Sequence, residues 1–212
     1  MIGIFGGTFD PVHNGHVNSA LCIKRALQLT QIRFVPNRQP PHRAAPWLSV
    51  EQRLLLLKTA LIDMPDIVID ERELDRDGPS YMVDTLASLH SDFPDEKLCL
   101  IIGLDAFITI TKWFQWRRLF DLCHLVVTTR PGFCLSDVEK EMAAEDYAFL
   151  SARMIVDANR LTSQEAGKIL LISVPQLDIS ATKIREELVN NTNISEWLPE
   201  SVAEQLRGFL NK

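Results

Sequence analysis

The sequence predicts an α/β fold, a doubly wound parallel sheet with helices on both faces, from three observations. Short apolar runs rich in isoleucine, valine and leucine alternate with longer segments whose apolar residues recur at helical spacing. Two of the runs, 98–102 and 125–127, are apolar throughout, which is typical of strands covered on both faces. The first run leads directly into a glycine turn and then a helical pattern. Strand, turn and helix in that order form the local structure in which backbone N–H groups bind phosphate.

Each predicted strand is a short, mostly apolar run. The predicted strands cover residues 2–5, 32–36, 67–70, 98–103, 124–129 and 169–174. In a doubly wound sheet, ligands bind beyond the carboxyl ends of the strands. We therefore expect one cleft to be bordered by the loops that follow residues 5, 36, 103 and 129.

The segments between the strands predict helices over 14–29, 54–62, 80–89, 113–122, 136–145, 181–189 and 199–210. A capping box formed by Ser49 and Gln52 opens the second of them, and Ser180 fits the N-cap of the sixth. No segment is rich enough in proline, glycine or serine to divide the chain. We therefore expect one domain over residues 1–212, in which 186–212 form a C-terminal helical extension.

Composition and charge restrict the class of partner. The chain carries a net charge of −6 and has a pI near 5.4, so extended binding to nucleic acid is not expected. No uncharged apolar stretch reaches the ~18 residues of a membrane span, and the first residues lack the pattern of a signal peptide. We expect a cytoplasmic protein that binds neither nucleic acid nor membrane. The sequence leaves a homo-oligomer open.

The segment after the first strand carries the strongest chemical signal. Glycines at its start let the main chain approach an anion closely, and the following helix start offers unpaired N–H groups. His13 and His16, three residues apart, add side-chain donors on one face of the first helical turn. Zinc binding is the rival interpretation, but no nearby cysteine or carboxylate completes a ligand set, and Asp10 fits turn chemistry better.

Residues 7–16, Gly-Thr-Phe-Asp-Pro-Val-His-Asn-Gly-His, resemble the signature of the nucleotidylyltransferase superfamily. In that superfamily both histidines contact the phosphates of ATP and stabilise the transition state. The resemblance implies a Rossmann-like nucleotidylyltransferase fold and assigns those contacts to His13 and His16. It also places the ATP phosphates at the turn formed by Gly6, Gly7, Thr8 and Phe9.

Two further segments resemble ATP-binding elements of the same superfamily. Residues 179–185, Ile-Ser-Ala-Thr-Lys-Ile-Arg, are similar to an element that grips the β- and γ-phosphates, although Ala181 replaces a serine seen in many members. The segment can also be read as an ordinary helix start. Gly103 and Asp105 resemble a G-x-D element near the adenosine and nicotinate sites, or they form a plain turn and helix cap. The resemblance thus implies ATP contacts for Ser180, Thr182, Gly103 and Asp105, and a catalytic role for Arg185 alongside the two histidines.

Other segments resemble the bacterial nicotinate-nucleotide adenylyltransferase family in particular. Residues 36–43, Pro-Asn-Arg-Gln-Pro-Pro-His-Arg, are similar to a loop that binds nucleotide phosphate, which implies that role for His42 and Arg43. Residues 80–86 are similar to a segment whose backbone reads the nicotinate carboxylate, although Met82 departs from the usual threonine. Tyr81 and Thr85 are retained there.

The same resemblance implies that Trp113 stacks on the nicotinate ring and that Arg130 lies near the phosphate of the mononucleotide. Core packing for Trp113 and a plain surface charge for Arg130 are the alternatives.

The reaction implied by the resemblance is adenylyl transfer from ATP to nicotinate mononucleotide, which yields nicotinate adenine dinucleotide and pyrophosphate in NAD synthesis. Mg²⁺ would be held by the ATP phosphates and water, so no protein ligands to a metal are expected. Two alternatives stay open at this point. One is a related adenylyltransferase that uses nicotinamide mononucleotide or another phosphate acceptor, and the other is a nucleotide-binding sensor without catalysis.

Overall fold

The computed structural model describes residues 1–39, 45–129, 135–175, 179–190, 194 and 196–210. Within these residues seven strands form one parallel sheet in the order β3-β2-β1-β4-β5-β7-β6. The strands are β1 (Ile2–Gly7), β2 (Gln31–Pro36), β3 (Ile67–Ile69), β4 (Leu98–Gly103), β5 (His124–Thr129), β6 (Met154–Ile155) and β7 (Ile169–Ser173). The predicted doubly wound parallel sheet is confirmed.

Helices connect the strands. They are α1 (Asn14–Leu27), α2 (Val50–Leu61), α3 (Met82–Asp92), α4 (Leu104–Ile108), α5 (Leu119–Leu122), α6 (Leu135–Glu141), α7 (Ala144–Ser151), α8 (Asn159–Thr162), α9 (Ala181–Val189) and α10 (Glu200–Leu210). Short 3₁₀ turns occupy Glu71–Glu73, Ile110–Lys112 and Trp116–Arg118. The capping box that opens α2 is confirmed, because Gln52 N–H donates to Ser49 Oγ and Ser49 N–H donates to Gln52 Oε1.

The apolar residues divide between two cores, one on each face of the sheet. Along β4, Cys99 and Ile101 belong to one core, whereas Leu98, Leu100 and Ile102 belong to the other. The first core takes residues from α1, α2, α9 and α10, and the second takes residues from α3, α4, α5 and α7. The alternation explains why this strand is apolar at every position, since both of its faces are covered.

Three predictions about elements were wrong in detail. The first strand continues through Gly6 and Gly7, for which the sequence predicts a turn. Residues 113–122 form short 3₁₀ and α turns rather than one helix, and residues 136–145 are split between α6 and α7. Strand β6 was not predicted, because two residues at a sheet edge are too short to show a period.

The C-terminal helix α10 packs against α2 through the first core, to which Val202, Ala203 and Leu206 contribute. None of the helices in the described part of the chain is long and apolar enough to cross a membrane.

Candidate active site

The carboxyl ends of the central strands lie at one edge of the sheet and position the candidate site. Gly7 at the end of β1 pairs with Pro36 at the end of β2. On the other side of β1, Phe5 pairs with Ile101 of β4, so the two strands reach Gly7 and Gly103 at the same edge. From β1 the following strands are added toward one edge of the sheet up to β3, and from β4 they are added toward the other edge. Doubly wound sheets bind ligands at this switch point between β1 and β4.

The loop that leaves β1 is held in an unusual backbone conformation. Phe9 has a φ of +50°, the left-handed region that residues with a side chain seldom adopt. Its ring is 2% exposed and contacts the rings of Phe34 and His16, whose centroids lie 5.4 Å and 5.2 Å away. Tertiary packing therefore over-determines the loop, as is common at ligand sites.

Side chains from distant segments fix the same loop by hydrogen bonds. Asn37 Nδ2 donates to Thr8 Oγ1 at 3.1 Å, and the Arg53 guanidinium donates to the Thr8 carbonyl at 2.7 Å. The Asp10 carboxylate accepts the backbone N–H groups of Trp47 and Leu48 at 2.7 Å and 2.9 Å. Asp10 thus ties the loop to the start of α2, in agreement with the turn role inferred from the sequence.

His13 and His16 form a stacked pair beside this loop. Their ring centroids are 3.7 Å apart with an interplanar angle of 22°. His16 Nδ1 accepts the His13 backbone N–H at 3.3 Å, which leaves Nε2 of a neutral His16 as the protonated donor. His13 Nδ1 is buried and has no hydrogen-bond partner among the residues that the structure describes. Gly15 leaves room for this ring, because a Cβ there would lie 3.0 Å from His13 Nδ1.

Burial favours the neutral form of both imidazoles. Burial lowers the pKa of His13 to about 4, against a weaker opposing effect of a backbone hydrogen bond. Desolvation, followed by the charge of the neighbouring His13, lowers the pKa of His16 well below its ordinary value. A neutral imidazole can donate one hydrogen bond, and a nearby anion would favour protonation of either ring.

The start of α1 offers fewer free N–H groups than the sequence suggested. Asn14 N–H donates to the Trp197 carbonyl at 2.9 Å, and its side chain donates to the Glu196 carbonyl at 3.0 Å. The N–H groups of His16 and Val17 donate to the His13 carbonyl. The C-terminal segment therefore helps to hold the helix that carries the histidine pair.

The start of α9 meets the same loop. Ser180 is the N-cap, as predicted, and its Oγ accepts the Lys183 N–H at 3.1 Å. Arg185 Nη1 donates to the Asp10 carbonyl at 2.6 Å, and Nη2 donates to Thr182 Oγ1 at 3.1 Å. The structure thus brings Arg185 to the loop between β1 and α1 across 175 residues of chain.

Gly103 and Asp105 lie at the end of β4, where Gly103 is the N-cap of α4. The exposed Asp105 carboxylate folds back over this glycine, since a Cβ on Gly103 would lie 2.6 Å from Asp105 Oδ1. A side chain at position 103 would therefore require this exposed carboxylate to move.

The start of α3 approaches the carboxyl end of β1. Met82 reaches Gly6 so closely that a Cβ on this glycine would lie 2.6 Å from Met82 Cε. Thr85 is fully buried, and its hydroxyl donates to Glu73 Oε1 at 2.6 Å. The hydroxyl of Thr85 is thus engaged within the protein, and a direct contact with a ligand stays a prediction.

Glu73 is a buried carboxyl group beneath this helix start and was not singled out from the sequence. Burial raises its pKa, while hydrogen bonds from Thr85 and Ser80 and the charge of Arg76 act in the opposite direction. Ser80 Oγ also accepts the Arg38 N–H at 3.2 Å, which connects this network to the loop after β2.

Aromatic side chains flank the start of α3. The Tyr81 ring lies 4.6 Å from the ring of Phe114, which is 48% exposed. Trp113 precedes Phe114, is partly buried and packs against the second core. A partly exposed indole beside an aromatic pair provides flat surface for a planar ring.

His42, Arg43 and Arg130 lie outside the residues that the structure describes. Arg53 and Asn37 belong to the site but were not predicted. Arg53 had a signal in the sequence, since it occupies an otherwise apolar helical stripe completed by Leu56, Leu57 and Ala60.

A cytidylyltransferase-like family model matches residues 4–187, so the chain belongs to that family. The structure of Plasmodium falciparum nicotinic acid mononucleotide adenylyltransferase complexed with NaAD superposes with a TM-score of 0.71 at 17% identity. The match covers 98% of this chain and 95% of that one. A second structure of that enzyme, complexed with APC, superposes with a TM-score of 0.69 at 16% identity. This match covers 98% of this chain and 94% of that one. At these identities the likeness concerns the fold.

Closer relatives define the particular family. A Methylococcus capsulatus protein named probable nicotinate-nucleotide adenylyltransferase is 46% identical over 206 residues, 96% of this chain and 95% of the relative. A Halorhodospira halophila protein of the same name is 43% identical over 205 residues, which are 97% of this chain and 92% of the relative. The chain belongs to the nicotinate-nucleotide adenylyltransferase family.

Proposed function

We propose that this protein transfers the adenylyl group of ATP to nicotinate mononucleotide, and so forms nicotinate adenine dinucleotide and pyrophosphate for NAD synthesis. The observation that carries the proposal is the His13–His16 pair beside a loop to which Arg185 is tied. Family membership and the names of the relatives support the same reaction. A cytoplasmic location for this chemistry accords with the sequence.

The residues of the site suit a triphosphate. His16 Nε2 and the Arg185 guanidinium are donors beside the loop that follows β1, and Ser180 and Thr182 add hydroxyl groups at the start of α9. In the reaction, a phosphate oxygen of the mononucleotide attacks the α-phosphorus in line. The bond from that phosphorus to the bridging oxygen breaks, and pyrophosphate leaves with the electron pair. Donors held in advance where negative charge develops lower the barrier without a covalent intermediate.

Magnesium enters this proposal as part of the nucleotide substrate. Among the described residues, no group of three or more histidine, cysteine, aspartate or glutamate side chains could hold a metal ion. The Asp10 carboxylate already accepts two backbone N–H groups. The remaining donors suit phosphate oxygens, so the protein would bind a magnesium–ATP complex through its phosphates. When bound, the ion neutralises charge on the phosphates.

The side of the site at α3 would receive the mononucleotide. The partly buried Trp113 offers a face for the pyridine ring, and the backbone at Tyr81 and Met82 offers N–H groups for its carboxylate. Thr85 and Glu73 would act beneath this surface by fixing the first turn of α3. We extend the proposal to His42, Arg43 and Arg130 as phosphate-binding residues on the basis of the sequence resemblance.

The experiment is a product assay with magnesium and ATP against nicotinate mononucleotide, nicotinamide mononucleotide and phosphopantetheine. We expect the dinucleotide of nicotinate, with pyrophosphate released in equal amount. A preference for another acceptor would refute the substrate assignment, and ATP binding without product from any acceptor would favour a nucleotide sensor. The His16→Ala variant provides the control for contaminating activity.

A further inference from the structure

Arg53 faces the protein interior from α2 although it carries a charge. Its side chain is 1% exposed, and Leu56, Leu57 and Ala60 share its buried helix face. An arginine remains charged when buried, and the loss of hydration is unfavourable unless its donors find acceptors. The role of this residue therefore depends on the groups to which it donates.

Arg53 joins the two loops that carry the predicted substrate contacts. Nη1 donates to the carbonyl of Thr8 at 2.7 Å, in the loop after β1. Nη2 donates to the carbonyl of Arg38 at 3.4 Å, in the loop after β2. Its Nε has no hydrogen-bond partner within the described part of the chain. The shorter of the two bonds is the one to the phosphate loop.

The bond to Thr8 sets the direction of the next N–H group. In a trans peptide the C=O and N–H groups point in opposite directions, so a Thr8 carbonyl turned toward Arg53 turns the Phe9 N–H away from it. Phe9 is also the residue with a φ of +50°, a conformation that the surrounding structure has to maintain. A cation on the carbonyl further polarises the peptide and makes its N–H a stronger donor.

The charge around Arg53 is only partly compensated. Burial lowers the pKa of its guanidinium, and the carboxylates of Asp10 and Glu51 act in the opposite direction. Asp10 gives both carboxylate oxygens to the N–H groups of residues 47 and 48. The described hydrogen bonds of Arg53 go to the two loop carbonyls rather than to a carboxylate.

We propose that Arg53 is a positioning residue that fixes the phosphate-binding loop and the loop after β2 together, and that ATP binding depends on it without direct contact. This inference rests on the proposed function, because it assigns the Phe9 N–H to a nucleotide phosphate. An apolar residue of similar length would fill the same space but would release both carbonyls.

The test compares Arg53→Met and Arg53→Lys with Arg33→Met as the matched control. Arg33 is another poorly exposed arginine, but it donates to Asp70 at 2.8 Å from the middle of β2. Binding of a non-hydrolysable ATP analogue with magnesium is measured by calorimetry, with thermal unfolding alongside and steady-state constants for both substrates.

For Arg53→Met we expect at least tenfold weaker binding of the analogue, or about 1.4 kcal/mol. The KM for ATP should rise more than the KM for the mononucleotide, because the bond to Thr8 is the shorter. Arg53→Lys keeps the charge but can hold only one carbonyl well, so its affinity should fall between those of Arg53→Met and the wild type. Arg33→Met should bind within twofold of the wild type even if its melting temperature falls equally.

Affinities within twofold of the wild type in both Arg53 variants would overturn the inference, as would an equal loss in Arg33→Met. If Arg53→Met fails to fold, Arg53→Lys decides, with at least a threefold loss expected and wild-type affinity contradicting the role. A wild-type protein that does not bind the analogue would refute the proposed function itself. An active wild type with unaffected Arg53 variants would refute only the role of Arg53.

Discussion

Lowering the pH from 7 to 5 should destabilise the folded protein through His13. Burial lowers the pKa of this side chain to about 4 in the folded state, whereas the unfolded chain has a value near 6.5. Between these values the unfolded chain binds a proton that the folded protein does not bind. The free energy of unfolding therefore falls as the pH falls through 6.5, and this loss ends below about pH 4. With these two pKa values, the free energy of unfolding falls by about 2 kcal/mol from pH 7 to pH 5. The total loss from this side chain at lower pH is about 3 kcal/mol.

The assay is urea denaturation followed by circular dichroism at pH 7, 6 and 5. His13→Gln should lose about 2 kcal/mol less stability than the wild type over this interval, whatever its stability at pH 7. His90→Gln is the control for the histidine-to-glutamine substitution itself, because this side chain is exposed on α3. An equal pH dependence in His13→Gln and the wild type would refute the reasoning that His13 is buried as a neutral ring.

Three further predictions concern the site. His16→Ala should lower kcat by ~10²–10³ with an unchanged circular dichroism spectrum, because it removes one donor to developing charge, and near-normal turnover would contradict that role. Trp113→Ala should raise the KM for nicotinate mononucleotide but not that for ATP, and equal increases would argue against ring stacking. Gly6→Ala should lower kcat/KM only a few-fold, because its Cβ would lie 2.6 Å from Met82 Cε but the end of this flexible side chain can move, and adding Met82→Ala should restore activity. A double variant no better than Gly6→Ala would show that this contact is not the cause.

The centre of the sheet could be predicted because β4 and β5 are buried on both faces. Apolar character at every position, as in residues 98–102, depends on the local sequence alone. The same holds for the start signals of α2 and α9, where a hydroxyl side chain caps an N–H group three residues away. Strand β6 and the turns over 113–122 were missed because elements of two to four residues carry no readable period.

The parts of the site that depend on distant partners could not be predicted. The contact of Arg53 with Thr8 spans 45 residues, and that of Asn14 with the Glu196 carbonyl spans 182. The left-handed backbone of Phe9 has no local signal either, since phenylalanine does not favour it and tertiary contacts impose it. The spacing of His13 and His16 revealed the chemistry, whereas the residues that hold them required the fold.

The most direct test of the central claim is a crystal structure of the protein with a non-hydrolysable ATP analogue, magnesium and nicotinate mononucleotide. The account predicts triphosphate oxygens within hydrogen-bond distance, about 2.7–3.2 Å, of His16 Nε2 and the Arg185 guanidinium. It also predicts the pyridine ring on the face of Trp113. A triphosphate bound away from the loop between β1 and α1 would contradict the account.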